Sequence, residues 1–181
     1  MITVAIIGIL SVLAFVGYRK VIGGSHIAEA NNVLGGIKTR QEAYKAEVGS
    51  FFNVSRSLAV STSNHSSLYP LCTGTNAHPG KFVTAWGLDC PSACCASGAD
   101  WKKLGVTVDA PLFFGYSSVA GASGAAVPAV TLSGTNMPWP TAPGDPWFVA
   151  TAVADTNGDG DYITAMISSF DSTIVVENPN D

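Results

Sequence analysis

The chain has 181 residues, of which 12% are charged and 47% belong to the hydrophobic class, with a formal net charge of -4. That length allows one globular domain plus one extended element, and the composition is too apolar for a disordered chain and more apolar than an ordinary soluble domain needs. No long basic run occurs, which argues against a nucleic-acid binder.

The apolar excess sits at the start. Met1 to Gly17 carries no charge and only two hydroxyl residues, Thr3 and Ser11. Because the run is apolar on every side, length rather than periodicity must decide its state. About 17 residues of helix rise roughly 25 Å, just short of the ~30 Å hydrocarbon core of a bilayer. A cleaved signal peptide would need a basic residue before the run and a small-x-small site after it, and neither is present. Arg19 and Lys20 follow the run and by the positive-inside rule alone would hold the remainder in the cytoplasm. A basic leader before Met1 would reverse that orientation.

Past Tyr18 a helical period emerges. Ile27, Ala30, Leu34, Ile37, Gln41, Tyr44 and Val48 recur at threes and fours, with mostly polar residues between them. One helix is therefore expected from the apolar run to about Ser50, its stripe packing on a following domain. The pairs Gly23-Gly24 and Gly35-Gly36 weaken it by ~1 kcal/mol per glycine relative to alanine. Between Tyr18 and Ser50 five basic residues face three acidic ones, whereas from Phe51 onward four face ten. A basic stem and an acidic head could thus attract across copies, in a manner that steers more than it holds.

Residues 53–110 are rich in Ser, Thr, Asn, Gly and Pro and read as an irregular connection, with a short helix near Ser97 to Leu104. They hold all four cysteines: Cys72, Cys90, Cys94 and Cys95. An even number in a loop-like region points to two disulfides in an oxidising compartment. Three pairings are possible; a Cys94–Cys95 bridge would strain the intervening peptide, so Cys72 and Cys90 are each expected to take one of the two. A zinc site is the rival, but no Cys-x2-Cys pair is present. Asn53-Val54-Ser55 and Asn64-His65-Ser66 fit the N-glycosylation pattern, as chance alone readily supplies.

The C-terminal part reads as strands: Leu112 to Val119, Trp147 to Ala154, Asp161 to Phe170 and Thr173 to Glu177. DTNGDGD joins the middle two as a hairpin turn, Asp171-Ser172 makes a second turn, and Ala120 to Gly144 is expected to be loop. The sum is an antiparallel meander of roughly four strands with the amphipathic helix over one face.

MITVAIIGIL, and within it Ala5-Ile6-Ile7-Gly8-Ile9-Leu10, resembles the inner part of the type IV pilin N-terminus, over roughly the first fifty residues; beyond them the likeness is one of architecture. The resemblance implies an α+β pilin fold: residues 1–18 a hydrophobic helix for membrane and filament core, 19–52 its amphipathic half, and 53–181 a globular head with cysteine-containing loops. It implies a structural subunit held in the bacterial inner membrane and then polymerised with copies of itself by a pilus assembly machinery into an extracellular filament. Adhesion, motility and DNA uptake are not distinguished. A periplasmic pseudopilin of a type II secretion system is the alternative, and a membrane-anchored extracytoplasmic binding module the third reading. The family's leader and its acidic fifth mature residue would precede Met1, and Val16 stands about where many members carry a proline. Ala5, Gly8, Ser11, Ala14 and Gly17 recur at threes and would let helices approach closely in the filament core.

Two further features bear on chemistry. Asp155, Asn157, Asp159 and Asp161 place oxygens as in the first half of an EF-hand, but the twelfth position is Met166, so only a partial calcium site is compatible, against a solvated turn. His26, His65 and His78 have no metal-ligand spacing, and no nucleophile elbow or phosphate loop occurs, so neither an enzyme nor a cofactor is expected. Trp86, Trp101, Trp139 and Trp147 could form an adhesive patch or fill the core.

Overall fold

The computed structural model describes residues 2–60, 67–70, 83–87, 98–132 and 135–179. Helix α1 runs over Ile2–Val48, 47 residues, and so extends about 70 Å at the usual rise. It stops where the sequence predicts. Gly49 takes a φ of 84° and donates its N–H to Lys45 O at 2.8 Å, a left-handed cap that a side chain would strain. Ser11 and Thr39 return their hydroxyls to the carbonyls four residues back, at 2.8 and 2.9 Å, so neither needs an outside partner.

Helix α2 spans Gly98–Leu104, matching the short helix expected near Ser97. The strands are β1 Gly115–Gly121, β2 Thr131–Leu132, β3 Thr135–Asn136, β4 Trp147–Ala154, β5 Ile163–Ser168 and β6 Val175–Glu177. The main sheet is antiparallel throughout, in the order β1-β4-β5-β6. The molecule is therefore α+β, a long helix on a four-stranded antiparallel sheet. The strand expected at Leu112 begins instead at Gly115, and the expected loop 120–144 contains the small β2–β3 ribbon.

Ala30, Leu34, Ile37 and Gln41 are fully buried on α1, with Ile27 and Tyr44 half-buried; Val48 is exposed. This stripe lies in one core with Phe148, Ala150, Ala152 and Ala154 of β4 and Ile163, Ala165 and Ile167 of β5. Three alanines along β4 leave room for the helix, while Phe148 fills the distal end against Phe51, ring centroids 4.9 Å apart.

The helix covers one sheet face, as expected. The other face is also dry: Val119, Trp147, Val149 and Met166 pack with Leu58, Val130 and Leu132, and Val153 packs with Ala59 and Leu68. Hydroxyls on that face hold the covering segment. Ala59 N donates to Ser117 Oγ at 3.0 Å, Thr151 Oγ1 donates to Ala59 O at 2.6 Å, and Thr164 Oγ1 donates to Val60 O at 3.2 Å. Residues 53–55 border β1, where the amides of Val54 and Ser55 reach Ser118 O and Ser118 N donates to Ser55 Oγ. The glycosylation pattern at Asn53 is thus taken up structurally: Ser55 is buried and Asn53 Oδ1 accepts from Ala120 N.

Candidate assembly surface

An all-round apolar helix has no inward face, so the fold cannot bury it against its own sheet. The structure separates α1 accordingly. Val4, Ile6, Ile7, Ile9, Leu10, Val12, Leu13 and Phe15 are each between 51% and 72% exposed, as is Tyr18 at 65%. A Cβ built at Gly8 or Gly17 would meet nothing within 4 Å. Contact with the head begins near Gly23, whose Cβ position lies 3.9 Å from Pro179 O, and His26, whose ring meets Phe113 edge-on at 4.2 Å.

Covering a large apolar side chain contributes about 1.5–3 kcal/mol, so the eight residues from Val4 to Phe15 together leave roughly 10 kcal/mol or more unrealised in an isolated copy. That is comparable with the whole stability of a typical domain. Among the described residues no helix is long and apolar enough to cross a membrane. The side chains at positions 2, 5, 16 and 19–22 lie outside the described residues.

The small residues do not form one straight seam. On a regular helix each step of three regresses by about 60°, so Ala5, Gly8, Ser11, Ala14 and Gly17 wind around the rod, and only successive pairs share a face. Ala5's own surroundings are outside the described residues.

Where stem meets head, an unforeseen contact fixes the angle. Glu29 is one of the polar residues between the stripe positions, yet its Oε1 accepts from Phe113 N at 2.9 Å, Phe114 N at 3.3 Å and Tyr116 Oη at 3.5 Å. Desolvation pushes the Glu29 carboxyl above its usual range, opposed by the two amide bonds and by His26 nearby. Burial likewise pushes the Tyr116 phenol up, with the Glu29 charge adding to the effect. At the far end of the contact, Gln41 is completely buried. It donates to Phe52 O at 2.8 Å and Ser118 Oγ at 3.1 Å, and accepts from Phe52 N at 2.9 Å, which clamps the reversal after α1 onto β1. A glutamine within an apolar stripe was the available signal for this clamp.

The acidic hairpin tip is internally committed. Asp155 is buried, its Oδ1 accepting from Gly158 N at 2.6 Å and its Oδ2 from Gly160 N at 3.3 Å. Asn157 Oδ1 accepts from Asp159 N and Asp159 Oδ1 from Asp161 N, at 2.8 and 2.9 Å. Gly158 and Gly160 adopt φ of 81° and 97°, which aims their amides inward. Among the described residues no group of three or more His, Cys, Asp or Glu is arranged to hold a metal ion.

Cys72, Cys90, Cys94 and Cys95, with the disulfides expected of them, lie outside the described residues. Of the tryptophans, Trp101 and Trp147 are buried and Trp86 and Trp139 half-buried. Trp86 and Trp101 stand edge-on at 5.4 Å in a cluster with Tyr69 and Tyr116, so Trp86, Trp101 and Trp147 serve the core rather than an adhesive patch. Compared with protein-family models, curated proteins and solved structures, the chain has no significant match.

Proposed function

We propose that this chain is a structural, non-enzymatic subunit of a type IV pilus, polymerising through its N-terminal helix. The observation that carries the reading is the contrast within α1: apolar before Tyr18 with its described side chains exposed, amphipathic and seated on the head after Gly23. An apolar rod of this kind is stable in lipid or in a bundle of sister rods, and a subunit stored in the inner membrane and then drawn into a filament uses both in turn. The head supports the reading because, among the described residues, both sheet faces are already covered and the large exposed hydrophobic side chains concentrate on the rod. The opening decamer's likeness to pilins, and the pilin-like order of helix, loops and antiparallel sheet, add to it. A basic stem and acidic head on the same chain supply a weak registering force between copies.

The test is direct. Full-length protein purified in detergent should assemble into fibres visible by electron microscopy as detergent is removed, whereas the chain lacking residues 1–20 should be a soluble monomer by sedimentation. A truncated chain that still made fibres, or a full-length chain monodisperse without detergent, would refute the assembly mechanism. Long fibres sheared from cells would favour a pilus over the short periplasmic pseudopilus of a secretion system.

A further inference from the structure

On the second sheet face, at the β5–β6 edge, the segment around Met137–Trp139 roofs a cleft of about 150 Å³. Its wall includes Met166, Ser168, Trp139, Phe170, Asp171 and Thr173. Trp139 is the half-buried tryptophan not absorbed into the large aromatic cluster, and it lies against Phe170 with ring centroids 5.9 Å apart.

The polar groups around these rings are specific. Ser168 is 3% exposed, and its Oγ accepts from Phe170 N and Asp171 N, both at 3.2 Å. With both acceptor positions taken, the hydroxyl is left to donate. The Asp171 carboxylate is exposed and accepts from Thr173 N at 2.9 Å, a contact that holds it ionised below its usual range. Lys38 Nζ from α1 reaches Asp171 O at 3.4 Å and brings a positive charge to the same corner.

The volume selects a small guest. About 150 Å³ is half the lower end of ordinary ligand pockets and corresponds to roughly five water molecules. Lys38, which lies outside the cleft wall, already sets a positive charge beside Asp171 and disfavours an ammonium ligand there, while a wholly apolar guest would leave Ser168 without an acceptor and strip water from Asp171. A neutral ring with one C–H face and several hydroxyls suits both the aromatic wall and the mixed donors and acceptors. We propose that this cleft binds a single pyranose ring of a glycan, its C–H face on Trp139 and its hydroxyls on Asp171 and Ser168. The site is on the head and does not depend on the assembly reading. If copies do polymerise, each added copy repeats it, and avidity raises a weak single-site affinity.

The test uses the full chain in a zwitterionic detergent without a sugar headgroup. Methyl glycosides of glucose, galactose, mannose and N-acetylglucosamine are screened by saturation-transfer NMR, with choline as the cationic control. At least one glycoside should receive saturation on one ring face, and its affinity should fall about fivefold or more in Trp139→Ala and in Asp171→Asn. Because Asp171 is exposed, the second variant keeps the fold, as circular dichroism would verify, and decides the matter if the first does not fold. Absence of transfer to all four glycosides, transfer only to choline, or unchanged glycoside binding in Asp171→Asn would each overturn the proposal.

Discussion

Substituting Gly121 by alanine gives the sharpest test of how the sheet is packed. Gly121 ends β1 directly opposite Trp147, the first residue of β4, and the indole lies across its Cα. A Cβ at Gly121 would sit 2.5 Å from Trp147 Cε2 and Cζ2 and 2.7 Å from Nε1. Ordinary carbon contacts are about 3.5–4.0 Å, so roughly an ångström of overlap must be relieved. The ring cannot swing aside cheaply, because Trp147 is 3% exposed and its Nε1 donates to Ala125 O at 3.0 Å. Overpacking a core costs about 1–3 kcal/mol and loss of the indole hydrogen bond about 1 kcal/mol more, so a total of about 2–4 kcal/mol is expected. For a chain of this size that lowers Tm by roughly 5–15 °C. Thermal unfolding followed by near-ultraviolet circular dichroism reads both the shift and the tryptophan environment. Replacing Trp147 by leucine in the same chain should make the two substitutions non-additive, since the smaller side chain removes the clash. A Gly121→Ala protein melting within about 2 °C of the parent would show that the indole does not lie over the glycine, and the reasoning would fail.

Glu29 makes stability depend on pH. A carboxyl raised in the folded state binds more protons there than in the unfolded chain, so its contribution is greatest below its ordinary range and falls as pH rises through the raised value. Glu29→Gln, which keeps an oxygen for the Phe113 and Phe114 amides, should flatten that dependence in melts across pH 4–8 and be no less stable than wild type at neutral pH; a steeper dependence would contradict it. His26 and Tyr116 are the titratable neighbours facing this carboxyl and should be monitored in the same series. Gln41→Leu should cost about 2–4 kcal/mol in denaturant titration, because it leaves Phe52 N, Phe52 O and Ser118 Oγ buried with lost partners; a loss below about 1 kcal/mol would dismiss the clamp. For the DTNGDGD tip, Asp155→Ala should destabilise by about 1–3 kcal/mol through the Gly158 and Gly160 amides, while calcium and EDTA leave Tm unchanged; a rise with calcium would favour the partial-site reading.

The local features of this fold were legible in the sequence wherever neighbours along the chain decide them. The helix end at Gly49, the stripe from Ala30 to Gln41 and the bounds of β4 follow from backbone preference and hydrophobic period. The β4–β5 turn follows from glycines at the positions that need positive φ. The apolar opening was equally plain, whereas the exposure of its described side chains follows only from where the tertiary fold places the head, against α1 from near Gly23 onward.

What pairs with what across the chain belonged to tertiary structure. Nothing near Glu29 in sequence announces the Phe113 and Phe114 amides, 84 and 85 residues away. Nor does the text around Ser117, Thr151 and Thr164 announce that their hydroxyls hold residues 59–60 over a second dry face. Periodicity reports which side of an element is apolar, and a strand buried on both faces with hydroxyls among its inward residues carries no such signature. Satisfying buried polar groups is settled by geometry between distant segments, so sequence determined the elements and the folded contacts decided how they lock together.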